Sequence, residues 1–120
     1  MNITRSRSFA ICALLVATLL LAACPQQVTV AEINADPGRF ANKEVSLKGT
    51  VTNSFGALGQ GAYELDDGTG RIWVISERGG VPSRDARVRV VGRVATGVTF
   101  AGRSFGTVLR ETDRKTESSR

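Results

Sequence analysis

The stretch over residues 63–75 constrains the fold of this chain more than any other segment. It reads Y-E-L-D-D-G-T-G-R-I-W-V-I. Tyr63 and Leu65 alternate with acidic residues, which is the period of a half-buried strand, and a β-branched and aromatic run follows at 72–75. The D-D-G-T-G segment between them favours a turn, because aspartates bond to nearby backbone and glycines accept positive φ. The sequence therefore predicts a β-hairpin here.

Two further segments, 44–53 and 87–95, alternate apolar and polar residues, and each carries a glycine on its apolar side. A glycine inside a strand commonly marks a bulge or a sharp bend. Gly49 and Gly92 would let these two strands bend and serve both halves of a small barrel. A glycine-rich loop is expected at 54–61, and a last strand at 105–110.

Helical signals are few and short. Residues 30–34 are compatible with either a strand or a helical turn, with Val30 and Ile33 docked on the barrel. Pro37 suits the first position of a helical turn that Asp36 caps and whose Phe40 points inward. Residues 112–120 are charged and rich in hydroxyl groups, so they are expected to form a disordered tail. The pattern predicts an all-β fold with little helix, with a barrel favoured over a β-sandwich.

The N-terminal segment has the composition of a targeting signal. Arg5 and Arg7 precede an almost wholly apolar run at 9–21, and L-A-A-C follows at 21–24. This pattern resembles the lipobox signal peptide of bacterial lipoproteins. One alternative is a transmembrane helix, for which the run falls short of the roughly 20 residues required. The other is an ordinary secretory signal that is cleaved after Ala23.

The lipobox resemblance implies that residues 1–23 are removed and that Cys24 becomes the lipidated membrane anchor. Residues 24–29 would then comprise the lipidated cysteine and a tether. Several acyl chains hold a protein at a membrane far more firmly than a single chain does. The expected location is the bacterial cell envelope. In a Gram-negative cell the expected location is the outer membrane, facing the periplasm. Pro25 lacks the Asp that signals inner-membrane retention in some lipoproteins, and the sequence leaves the choice of membrane open.

The composition excludes several classes of chemistry. Histidine is absent, which rules out Ser-His-Asp and Cys-His catalysis and the common zinc sites. Of the 2 cysteines, Cys12 lies in the segment expected to be removed, so no disulfide is expected in the domain. The chain has 16 Lys and Arg against 11 Asp and Glu, a formal net charge of +5 to which Arg5 and Arg7 contribute. The remaining excess is too slight to indicate nucleic-acid binding by itself.

No catalytic site, metal site or cofactor is expected. Asp66 and Asp67, near Glu64, are poorly placed to share a calcium ion, because adjacent residues at a strand end point to opposite sides. The glycines of 56–61 are not followed by the Gly-Lys-Ser/Thr of a phosphate-binding loop. We expect a protein that is not an enzyme.

The order of these elements resembles the OB-fold. The resemblance lies in K-E-V-S-L-K-G-T-V at 43–51, Y-E-L-D-D-G-T-G-R-I-W-V at 63–74, V-P at 81–82 and V-R-V-V-G-R-V at 88–94. Similar motifs occur in anticodon-binding-like OB domains and in several exported bacterial ones. The resemblance implies a five-stranded OB-fold-like barrel over residues 30–111. These motifs report the fold and recur in proteins with unrelated ligands.

In OB-folds that bind oligonucleotides, the outer face of the second and third strands and the flanking loops form the site. If Ile72 and Val74 point inward, Trp73 points outward and offers a stacking platform. The candidate binding face therefore comprises Trp73, Arg71, Lys48, Thr50 and Glu64. The alternative is that the 54–61 loop or the N-terminal segment covers Trp73.

Arg87, Arg89 and Arg93 form a candidate basic patch on the outer side of one strand. This patch would attract an anionic partner, including lipid headgroups near the anchor. The alternative is a solvated face that protects a sheet edge from aggregation.

Two functional hypotheses follow. The first is a membrane-anchored, non-catalytic binding module for a protein or envelope component. The alternative is single-stranded nucleic-acid binding through the hairpin face, against which export argues.

Overall fold

The computed structural model describes residues 24–57, 60–77, 80–100 and 102–117. The predicted signal peptide at 1–23, with its apolar run, lies outside the described residues. Among the residues that are described, no helix is long and apolar enough to cross a membrane.

Five strands close into a barrel, and a two-residue strand is added beside them. In chain order the elements are β1 (Gln26–Gln27), α1 (Val30–Ala35), α2 (Pro37–Phe40), β2 (Glu44–Ala57), β3 (Gln60–Asp66), β4 (Arg71–Ser76), β5 (Arg87–Phe100) and β6 (Arg103–Glu117). The strand order is β1-β2-β3-β4-β6-β5, and β5 pairs back onto β2. The predicted all-β barrel and the hairpin within 63–75 are confirmed.

The barrel closes where β2 and β5 pass a glycine. β2 pairs with β5 as far as Thr50 and with β3 from Thr50 onward. A Cβ on Gly49 would lie 2.6 Å from the carbonyl oxygen of Asp66, so only glycine allows β3 to approach there. Gly92 is equally tight against the backbone of Arg110, and β6 has a bulge opposite it. The bends expected at both glycines therefore lie at the corners of the barrel.

The β2–β3 hairpin and the β5–β6 hairpin are both longer than the sequence predicted. β2 continues to Ala57 and β3 begins at Gln60, so most of the expected 54–61 loop is strand. β6 continues to Glu117, and its residues 113–117 pair with β5 residues 87–91. The predicted disordered tail is therefore wrong over 112–117, while 118–120 lie outside the described residues. This part of β6 is a strand because its backbone pairs with β5. Its side chains are polar and show no apolar alternation, so the sequence does not reveal it.

The core fills the barrel, and the helices cover one end of it. The buried cluster inside comprises Val28, Val30, Ile33, Phe40, Val45, Leu47, Val51, Tyr63, Leu65, Ile72, Val74, Val88, Val90, Val94 and Leu109. Residues 30–35 are helical, and the Asp36 side chain accepts from the Arg39 backbone N–H, as expected for the cap of α2. Every described strand pair and both buried clusters lie within residues 26–117. Residues 24–120 therefore contain the whole described barrel.

Candidate binding face on the outside of the barrel

A second apolar cluster lies on the outer side of the sheet. Ala62 and Ile75 belong to it and are next to the inward-pointing Tyr63 and Val74, so they face away from the barrel core. The half-buried aromatic members are Phe55, Trp73, Phe100 and Phe105, which we call the aromatic face. Its floor is formed by buried Ala62, Ile75, Val98 and Val108.

Trp73 lies at the centre of the aromatic face, between two phenylalanines. Its ring centroid is 5.8 Å from that of Phe55 and 5.5 Å from that of Phe105, with interplanar angles of 57° and 55°. Both arrangements are tilted contacts within the range that aromatic pairs prefer. The Arg103 guanidinium lies 5.5 Å from the centroid of Phe55, a cation–π contact. The face therefore combines three packed rings with one cation.

Local irregularities bring these phenylalanines to the outer side. Val51 points into the barrel, and simple alternation would point Phe55 inward as well. A bulge between Val51 and Asn53 shifts the register, so that Phe55 pairs with outward-facing Ala62. On β5, Gly97 has a φ of 65°, and Val98 joins the outer cluster although Val94 is in the core.

Sequence reasoning did not select Phe55, Phe100, Phe105 or Arg103. A usable signal was present, because the tripeptide Ser-Phe-Gly occurs at 54–56 and again at 104–106. In both copies the phenylalanine is the large apolar residue of a small, polar segment. The structure packs both of these rings against Trp73.

Three of the predicted face residues lie together. Trp73 points outward, as predicted, and is half-buried, because Phe55 from the 54–61 segment packs against it. Glu64 is directly opposite Trp73 on β3. Arg71 lies 3.7 Å from the Glu64 carboxylate and 3.3 Å from that of Asp66. The predicted outward orientation is therefore confirmed, and the 54–61 segment covers part of the ring, as the alternative expected.

Thr50 lies in one row with Asp66 and Arg71, next to the row that holds Trp73 and Glu64. It lines a groove of about 560 Å³ together with Lys48, Thr52, Asp66 and Arg87. Lys48 precedes the first β2–β3 pair and is opposite Arg89 on β5 instead. The expectation that Lys48 shares a face with Trp73 is therefore wrong, because β2 changes its partner at Thr50.

The predicted basic patch is exposed on β5. Arg87, Arg89 and Arg93 alternate with core valines, and Arg93 donates to the carbonyl oxygen of Asn42 at 3.0 Å. Over these residues β5 is paired with β2 on one side and with β6 on the other. The patch does not lie on a sheet edge, so the edge-protection explanation is wrong for it.

The acidic turn after β3 holds α1 in place. Asp67 accepts from the backbone N–H of Val30 at 2.9 Å and from the Thr69 hydroxyl at 2.6 Å. Thr69 in turn accepts from the Ala31 N–H at 3.1 Å. Burial alone would raise the pKa of Asp67, but these hydrogen bonds outweigh it and lower the pKa. No group of three or more acidic or cysteine side chains within the described residues is arranged to hold a metal ion.

A polar network that the sequence did not reveal lies at the far end of β3 and β4 from this turn. Glu111 accepts from the Tyr63 hydroxyl at 2.6 Å, from the Ser76 hydroxyl at 3.0 Å and from Arg114 at 3.1 Å. Burial, and then the hydrogen bond to Glu111, raises the pKa of the Tyr63 hydroxyl well above its usual value. These groups satisfy one another and fasten β6 to β3 and β4, which is a structural role.

No protein-family model matches the sequence, and no curated protein matches it either. Solved structures do resemble the barrel. An aspartyl-tRNA synthetase from Leishmania major Friedlin gives a TM-score of 0.61 at 14% identity over 78% of this chain, and the asparaginyl-tRNA synthetase of Pyrococcus horikoshii gives 0.59 at 17% over 78%. The chain spans only 21% and 23% of those proteins. An OBody bound to hen egg-white lysozyme gives 0.51 at 19% over 65% of this chain and 84% of its own.

The chain has an OB-fold. With β1 set aside, the ring order β2-β3-β4-β6-β5 makes β3 and β4 the second and third strands of the barrel. The aromatic face lies on their outer side, extended by Phe55 on β2 and by Phe105 on β6. In an OB-fold this is the surface, between the β2–β3 and β5–β6 hairpin tips, on which ligands are held.

Proposed function

We propose that this protein is a non-catalytic OB-fold binding module that holds a single-stranded oligonucleotide on its aromatic face. The observation that supports the proposal is the row of Phe55, Trp73 and Phe105 on the outer side of the barrel. Bases stack on such rings whatever their sequence, and each stacked base contributes about 1–3 kcal/mol. Half-buried rings of this kind are already held in place, so little side-chain entropy is lost on binding.

Cations around the rings suit a phosphate backbone. Arg103 lies over Phe55, and Arg71 lies two positions before Trp73 on the same side of β4. The Arg71 side chain is 61% exposed and lies 3.7 Å from Glu64 and 3.3 Å from Asp66, so its outer side is open to a phosphate.

The test uses Trp73, the only tryptophan of the chain, as its own reporter. Residues 24–120 are titrated with short poly(dT) and poly(dA) strands at low and moderate salt. We expect saturable quenching of Trp73 fluorescence by both strands, weaker at moderate salt because phosphate contacts release counterions.

Variants locate the site. Phe55→Ala and Phe105→Ala should each weaken binding by about 5- to 160-fold, the equivalent of one lost stacking contact. Thr116→Ala, on an exposed position of β6, is the matched control and should bind as wild type. Absence of quenching, or quenching that neither phenylalanine variant changes, rules the proposal out.

A second candidate function has a different observation behind it. The L-A-A-C sequence favours a lipid-anchored envelope protein, and the apolar aromatic face would then bind a protein or envelope component. Crosslinking in cells, with wild type compared with Trp73→Ala, tests the partner. Fractionation of Cys24→Ala tests the anchor, because membrane association at unchanged mass would exclude lipidation at Cys24.

A further inference from the structure

The outer side of β2, β5 and β6, on the barrel wall away from β3 and β4, carries more cations than acids. Strand pairing places these side chains in rows across the three strands. The cations are Lys48, Arg87, Arg89, Arg93, Arg110 and Lys115, and the acids are Glu44, Asp113 and Glu117. Asp66 and Asp67 line the groove beside Lys48 and Arg87, at the border of this surface. We call this surface the basic face.

Like charges are directly opposite one another on the basic face. Lys48 is paired with Arg89, and Arg89 is paired with Lys115, so that one row is cationic across all three strands. Arg93 is likewise opposite Arg110. Like charges in directly opposite positions destabilise a sheet, by up to about 1 kcal/mol a pair. Two pairs of unlike charge, Glu44 with Arg93 and Glu117 with Arg87, offset part of this cost. The Lys48–Glu117 contact, at 3.9 Å between two half-exposed side chains, adds little.

Protection of a sheet edge does not account for the cationic row. β5 is paired on both sides along residues 87–93, so its arginines protect no edge. An arrangement that costs stability in the free protein is accounted for if an anionic surface neutralises it.

The point at which the chain enters the barrel indicates which anionic surface this is. Gln26 pairs with Val45 in parallel, so exposed Cys24 lies beside the start of β2, where Glu44 is opposite Arg93. The tether predicted at 24–29 is therefore only Cys24 and Pro25, since β1 begins at Gln26. Two extended residues span at most about 7 Å. An apolar segment, residues 9–21, precedes this point in the sequence.

We propose that the basic face docks on anionic lipid headgroups. This holds the barrel flat on a membrane with β3 and β4, and hence the centre of the aromatic face, turned away from it. In the ring, the neighbours of β5 are β2 and β6, so β3 and β4 lie across the barrel from it. A cation close to an anionic membrane contributes about 1 kcal/mol, and the contribution falls off within a Debye length. A basic patch adds electrostatic affinity to the affinity that acyl chains give.

The experiment separates the basic face from any anchor. Residues 24–120, produced without the N-terminal segment and so without acyl chains, are sedimented with vesicles of phosphatidylglycerol and phosphatidylethanolamine, and with vesicles of phosphatidylcholine alone. We expect binding to the anionic vesicles only, and weaker binding as salt is raised. Neutralising Lys48, Arg89 and Lys115 to Gln should weaken binding about fivefold for each cation removed.

Three controls show whether an effect comes from the basic face, from the fold or from the aromatic face. Arg84→Gln removes an exposed cation outside the basic face and should bind vesicles as wild type. The triple variant should melt at the same temperature as wild type or higher, because repulsion between strands is relieved. Its oligonucleotide affinity at the aromatic face should be unchanged, so this proposal and the proposed function fail independently.

Three results would overturn the docking proposal. The first is equal binding to both kinds of vesicle, and the second is a folded triple variant that binds like wild type. The third is a triple variant that loses oligonucleotide binding while wild type shows no vesicle binding, which would assign the basic face to nucleic acid instead.

Discussion

Tyr63 and Glu111 are 48 positions apart in the chain, and their side chains meet inside the barrel with Oη 2.6 Å from Oε1. Glu111 also accepts hydrogen bonds from Ser76 and Arg114. This one carboxylate of β6 is therefore bonded to β3, to β4 and to a later residue of β6. Side-chain exposure of Glu111 is 10% and that of Arg114 is 18%, so water competes little for these bonds.

Removing either partner should destabilise the barrel. Tyr63→Phe loses one charge-assisted hydrogen bond, at a cost of about 1–3 kcal/mol. Glu111→Ala should cost more, because Arg114 then lacks its carboxylate in a half-buried position. Urea denaturation measures both. The double variant should cost less than the sum of the single variants. Additive costs would mean that the two side chains do not depend on each other.

Truncation tests the end of β6. Deleting residues 112–120 removes the pairing with β5 residues 87–91 and takes Arg114 away from Glu111. We expect a loss of at least about 2 kcal/mol in unfolding free energy, since several hydrogen bonds of about 1 kcal/mol each disappear. Deleting 118–120 leaves every described strand pair intact and is the matched control. If both truncations unfold at the same urea concentration, the 112–117 segment adds nothing to the barrel.

The barrel corners should not accept a methyl group. Gly49→Ala and Gly92→Ala place a Cβ against backbone atoms of Asp66 and Arg110, which cannot move aside as a side chain would. Each should cost about 1–3 kcal/mol. Gly106→Ala has open space around its Cβ and should be neutral or slightly stabilising. Thermal melting of the three variants gives the order, and a Gly106 variant as unstable as the others would contradict this explanation.

The sequence located the glycine bends correctly but misjudged the extent of the strands around them. Alternation and glycine position are local signals, and they identified the hairpin at 63–75 and both corner glycines. The 54–57 and 112–117 segments lack apolar alternation, so their strand state depends on the partner strand alone. Lys48 was assigned to the wrong face because Gly49 indicates a bend, but local periodicity does not show that residues on either side of it pair with different strands.

Asp67 should make stability sensitive to acid. Its pKa in the folded barrel is below the ordinary value of 3.8. The carboxylate therefore adds stability that is fully present above about pH 4 and is lost as pH falls through the lower, folded pKa. The Asp67→Asn variant should have a lower unfolding free energy than wild type at pH 7. The difference between the two proteins should be smaller at pH 3. Urea midpoints at the two pH values check this, and an unchanged difference would count against it.

The sequence alone determined the positions of the main strands, the turn chemistry and the glycine corners, because each depends on neighbours within a few residues. It also determined that Trp73 points outward, since Ile72 and Val74 point inward. The tertiary structure decided what surrounds Trp73. The usual alternation is reversed on β2 by a bulge before Phe55 and on β5 near Gly97, which has a φ of 65° and precedes the Val98–Phe105 pair. Such reversals depend on pairing between distant strands, which local periodicity does not record.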